Sequence, residues 1–224
     1  MRNTRSVSTL SLIAIPALIT LGITILRLTG ELQHWSSLWF NPTAGGGGAL
    51  IGISWLPILF GPYFAVKLAK AGEGPSSVGK SVGFAVVGLV VYTLAGFLFA
   101  STVQHPNNFT LLALLLMLMA AFIPRLGWRS LNDTLLSYAF AARIPVLVVM
   151  YLAMSGNGGA GWGTHYDAVP PPLANLSFAV KYFYLGILPQ MTLWIGFTVV
   201  VGSLMGVIVA AVAQRWKRAA QAAA

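Results

Sequence analysis

Apolar runs long enough to cross a bilayer recur along this chain, near 7–26, 48–66, 81–101, 109–124, 134–155 and 185–213, and charge hardly interrupts them. A hydrocarbon core about 30 Å thick takes roughly 20 apolar residues of helix to cross. Lipid offers a bare backbone no hydrogen bonds, so such runs must satisfy themselves as helices. The fold expected is an all-α integral membrane protein, a single transmembrane domain over 1–224 built as a bundle of six transmembrane helices. Composition agrees, with 57% of residues hydrophobic and 8% charged, against about 25% charged in soluble domains. The first run is too long for the apolar core of a signal peptide, and no small-residue cleavage pattern follows it. It therefore reads as the first span.

Charge sets the expected orientation. Arg2, Arg5, Lys67, Lys70, Lys80, Arg125, Arg129, Arg215, Lys217 and Arg218 fall on one side of the six spans, and only Arg27 and Lys181 on the other. By the positive-inside rule the basic side is cytoplasmic. Both N- and C-termini are then cytoplasmic, as in a multi-pass protein of the bacterial inner-membrane type. Outer loops follow at about 27–47, 102–108 and 156–184. The net charge of +9 is explained by orientation and by anionic head groups, so membrane lipids are expected partners and nucleic acid is not. The chain has no cysteine, which excludes disulfides, thiolate metal sites and a thiol nucleophile.

Two spans carry marks of their own. The second contains Pro57 and Pro62 beside Gly52 and Gly61. Proline removes an intrahelical hydrogen bond and crowds the carbonyl four residues back, so a proline-broken span is expected. It is either a kinked packing helix or a discontinuous helix lining a site. The last span places Thr198, Gly202, Gly206 and Ala210 at four-residue spacing. Such a ridge lets helix backbones approach closely, within the bundle or in a homo-oligomer or larger complex through the Gly202/Gly206 face.

Arg143 stands out most. It lies within YAFAARIPVLVVMYL, ten residues beyond Asp133 at the inner end of span five, which places it about 15 Å into the membrane. A cation at that depth costs about 2.5–3.5 kcal/mol on insertion scales, so something must offset it. Asp133 is too distant, and the other candidate acids are Glu31 and Asp167. Either Asp167 folds in to pair with Arg143, or Arg143 faces a cavity and binds an anionic group, or carbonyls, Gln190 and water satisfy it. The candidate substrate-binding residues are Arg143, Gln190, Asp167 and Trp55, the last on the proline-broken span.

His34, His105 and His165 fall one in each outer loop, with Glu31 and Asp167 close by in sequence. Were they to converge, they could hold a divalent metal at the outer face. The stretch THYDAVP also offers a catalytic set: His165 as general base, Asp167 as its orienter and Tyr166 as a proton donor. The competing reading is separate interfacial histidines, with Asp167 in an ordinary turn before the prolines at 170–172. No HExxH spacing, nucleophile elbow, phosphate-binding loop or dinucleotide fingerprint appears.

The function expected is binding or transport of a small anionic or amphiphilic molecule through an outward-facing pocket floored by Arg143. The alternative is a membrane-embedded enzyme with an outer-face His/Asp site, with or without a metal. A third reading is an accessory subunit of a larger membrane complex.

Overall fold

The computed structural model describes residues 8–46, 48–103 and 107–222, and all regular structure among them is helical. Helix α1 spans Thr9–Leu32, α2 Leu56–Lys70, α3 Val78–Thr102, α4 Asn108–Ala120 and α5 Arg129–Gly159. Helix α6 opens at Phe178–Lys181, widens into π-helical stretches at Tyr182–Ile187 and Gln190–Trp194, and continues as Ile195–Ala222. Among the described residues five segments are long and apolar enough to cross a membrane: Thr9–Leu32, Val78–Thr102, Asn108–Leu126, Arg129–Gly159 and Phe178–Gln221. The chain is a helical bundle with the character of a multi-pass membrane protein. Its outward faces carry large apolar side chains such as Leu18, Leu94, Phe97 and Val148, as lipid contact requires.

The second expected span starts later than the sequence suggests, because its first residues are not helical. Helix was expected over 48–66, but α2 begins only at Leu56 and runs on to Lys70. Gly45, Gly46 and Gly48 take φ of 74°, 80° and 74°, a left-handed backbone open mainly to glycine, and turns carry the chain from there to Trp55. Pro57 falls in the first turn of α2, where its missing N–H costs nothing. Pro62 lies inside the helix. With 15 residues, α2 is about 22 Å long, short of a hydrocarbon core.

Helix α6 forms the middle of the bundle and packs against α2, α3 and α5. Phe64, Leu68, Leu135, Tyr138, Ile195 and Val199 fill the core between them. The small-residue ridge works here. A Cβ on Gly61 would stand 2.1 Å from the carbonyl oxygen of Gly202, and one on Gly206 would stand 2.8 Å from Leu131 Cδ2 and 3.0 Å from the Gly61 oxygen. The Gly202/Gly206 face is thus occupied inside the chain by α2 and α5, and both glycines are buried.

Polar ties fix the helix ends. At the end bearing Lys67, Lys70 and Arg129, the Trp128 indole N–H donates to the Glu73 carbonyl at 2.8 Å, and the Ser81 hydroxyl to the Gly127 carbonyl at 2.8 Å. The fully buried Asn132 on α5 donates its amide to the Ala121 carbonyl just past α4, at 2.7 Å. An Asn132→Ala variant strands that carbonyl away from water. It should lose about 1–3 kcal/mol, read as a lower denaturant midpoint in detergent at unchanged slope.

Candidate functional site

At the other end of the bundle, α1, α3, α4, α5, α6 and the long loops line a cavity of about 1050 Å³. Typical small-ligand sites hold about 300–1,000 Å³, so the space suits a drug-sized or larger molecule. Its walls are largely apolar, with Leu111, Leu114, Val146, Leu185 and Leu188 among them. The residues at 48–54 that precede α2 supply part of the wall, including Gly52, Ile53 and Ser54.

Arg143 lines this cavity, the deepest of its α5 residues, one and two turns below Val146 and Met150. Its side chain is buried at 4% exposure. The guanidinium lies 4.7 Å from the centre of the Trp194 ring, within cation–π range. One terminal N–H points at the Gln190 amide oxygen at 3.5 Å, the outer limit of a hydrogen bond, and among the described residues Nε has no partner. The Gln190 amide nitrogen rests on the Met150 sulfur at 3.8 Å. Among the described residues no carboxylate pairs with Arg143. The wide π-helical turn that carries Gln190 and Trp194 brings both to face it.

Nearer the loops stands a second polar group. The Glu31 carboxylate, closed off from solvent, accepts from Arg27 Nε at 2.8 Å, from the His165 backbone N–H at 2.8 Å, and from His165 Nδ1 at 2.6 and 2.8 Å. Arg27 also donates to the carbonyls of Gly46, at 3.0 Å, and Asn41. One acid therefore joins the end of α1 to the loop beyond α5. Because an ionised carboxylate can only accept, the Nδ1 of His165 carries the hydrogen, and in the neutral ring Nε2 is left as an acceptor. The His165 and Tyr166 rings are in contact, with centroids 3.8 Å apart, and both residues line the cavity.

Burial holds the His165 imidazole below its ordinary range, the Glu31 hydrogen bond opposes that shift, and the Arg27 charge reinforces it. With the folded value depressed, the unfolded chain takes up this proton first. The contribution to stability is present above about pH 6.5 and is lost as pH falls through the lower folded value. Thermal unfolding between pH 7 and 5 should therefore drop more steeply in wild type than in His165→Asn.

The other expected site residues are dispersed. Asp167 does not reach Arg143: its carboxylate accepts the backbone N–H groups of Gly163 and Thr164, at 2.9 and 2.8 Å, and the Thr164 hydroxyl. It ties its own turn, and the acid that orients His165 is Glu31. Tyr166 is buried, its hydroxyl donating to the Thr24 carbonyl at 3.3 Å, and burial raises its phenol well above the usual range. Trp55 is exposed ahead of α2, outside the cavity wall. His34 is exposed at the end of α1 with φ of 52°, and His105 lies outside the described residues. Among the described residues no three His, Asp or Glu side chains come together as a metal site would need. Two further residues belong to the site: Trp194, which gives no distinct signal in the sequence, and Arg27, whose spacing of four from Glu31 on one helix is a readable pair.

Comparison with protein-family models, with curated proteins and with solved structures gives no match.

Proposed function

We propose that this chain crosses the membrane six times with both ends cytoplasmic, and that its cavity binds or moves a small anionic or amphiphilic molecule, with Arg143 as the anion contact. One observation carries this: a buried guanidinium that, among the described residues, has no carboxylate partner and keeps an unpaired N–H stands at the wall of a large, mainly apolar cavity. A buried cation without a counter-ion is costly, and an anionic group in that cavity would supply one. The apolar walls suit a hydrocarbon portion beside it. Non-helical backbone at membrane depth is tolerated where it lines a cavity, and the segment at 48–54 fits that pattern. It would complete the crossing that α2 is too short to make alone. The basic residues gathered at the far end favour the cytoplasm there, which supports reading the cavity as outward-facing.

In nanodiscs of zwitterionic lipid, dodecyl phosphate should bind saturably to the wild type. Arg143→Lys keeps the charge but lacks the planar fork, and should bind several-fold more weakly. Equal binding by the two would remove the recognition role.

The Glu31–His165 contact favours a second reading, an enzyme with His165 as the proton acceptor. That reading requires a product, and a pH–rate profile that changes in His165→Asn.

A further inference from the structure

Arg143 and His165 belong to one cavity but do opposite things. Arg143 offers only N–H donors and positive charge. His165 offers a lone acceptor: Nδ1 is committed to Glu31, and among the described residues no donor reaches Nε2. Glu31, itself held by Arg27 and by the His165 backbone N–H, fixes the ring and its tautomer much as an orienting carboxylate does in a metal or catalytic site. A site built this way accepts a hydrogen bond at one end and donates to an anion at the other.

The spacing follows from α5. Tyr166, next to His165, packs against Val146 and Met150, which lie three and seven residues beyond Arg143 on the same helix. That separates the two ends by about 5–10 Å along the axis. Around them the walls are apolar, with Leu111, Leu114 and Leu188 among the lining residues.

We infer that Arg143 and His165 together read a phosphate ester head group that carries a free hydroxyl, of the glycerophosphate type, with Arg143 on the phosphate and His165 Nε2 accepting from the hydroxyl. This rests on the anion-binding reading above and adds the acceptor that names the ligand class. An anion without a hydroxyl leaves the oriented imidazole unused. A neutral polyol leaves Arg143 unpaired. The same head group exists as a soluble ester and as a lipid, and the apolar walls favour the lipid.

The test is binding in phosphatidylcholine nanodiscs of three probes: phosphatidylglycerol, phosphatidic acid and water-soluble glycerol 3-phosphate. Wild type should prefer phosphatidylglycerol to phosphatidic acid by about 3- to 10-fold, the worth of one hydrogen bond. His165→Asn, whose shorter side chain can still donate to Glu31 but places no acceptor where Nε2 lies, should bind the two lipids alike. Arg143→Gln should lose both. Glycerol 3-phosphate binding as tightly as the lipid would uphold the head-group assignment and make the soluble ester its source. Equal affinity of wild type for the two lipids, lost in Arg143→Gln, would overturn the hydroxyl assignment and leave the anion site standing. Wild type and Arg143→Gln binding alike would overturn both. If His165→Asn does not fold, nitrogen NMR of the wild-type imidazole replaces it. The Nε2 resonance should move on adding phosphatidylglycerol and stay fixed with phosphatidic acid, and no movement with either overturns the inference.

Discussion

A Glu31→Ala variant is expected to lose about 3–5 kcal/mol of folding stability, the scale on which breaking a buried ion pair acts. The carboxylate has no solvent exposure and holds a side chain four residues away together with a loop 134 residues away. Without it, the mostly buried Arg27 guanidinium keeps only backbone carbonyls, and the His165 backbone N–H has no acceptor. The imidazole also loses the partner that sets its tautomer. Chemical denaturation in detergent, at constant slope, measures the loss. A cost below about 1 kcal/mol, the range of an exposed pair, would mean that the group does not tie α1 to the loop.

Gly61→Leu should prevent the bundle from closing. The Cβ position at Gly61 lies 2.1 Å from a backbone oxygen of α6, with the Gly202 Cα and carbonyl carbon both at 2.8 Å. Backbone cannot turn aside as a side chain can, so α2 and α6 must separate and open the core around Phe64 and Val199. Even Gly61→Ala should cost about 1–3 kcal/mol. Gly202→Ala should be milder, because its new methyl meets the Leu135 side chain first, at 2.5 Å from Cδ2, and that leucine can change rotamer. Thermal midpoints in that order, with Gly61→Leu giving little monodisperse protein, would match the packing. Equal midpoints for the two alanine variants would contradict it.

Much of the helical layout was readable because lipid demands long apolar runs whatever the local detail. The same demand hid the start of α2. ALIGISW is apolar whether it turns or coils into helix, and only the glycines before it hinted at a left-handed backbone. Arg143 was legible because a cation interrupts an apolar run. Trp194 was not, since a tryptophan in a membrane helix is ordinary. The polar cluster misled for a different reason. Chain proximity coupled Glu31 with His34 and His165 with Asp167, whereas the fold joins Glu31 to His165 and turns Asp167 back onto Gly163 and Thr164. Short turns satisfy their own acids locally, and the contact between distant acid and imidazole exists only once α1 and α5 stand side by side, as they do here. The small-residue ridge was legible as a packing face, but not which helix it would meet.

The measurement to make first is a pair of binding isotherms in phosphatidylcholine nanodiscs, wild type beside Arg143→Gln, for dodecyl phosphate and for dodecanol as its neutral counterpart. If Arg143 is the anion contact of the cavity, wild type binds the phosphate saturably and well ahead of the alcohol, and the variant loses that preference by about 10-fold or more, the scale of a charge-assisted hydrogen bond. Isotherms that coincide for the two proteins would mean that the guanidinium beside Trp194 serves only the fold.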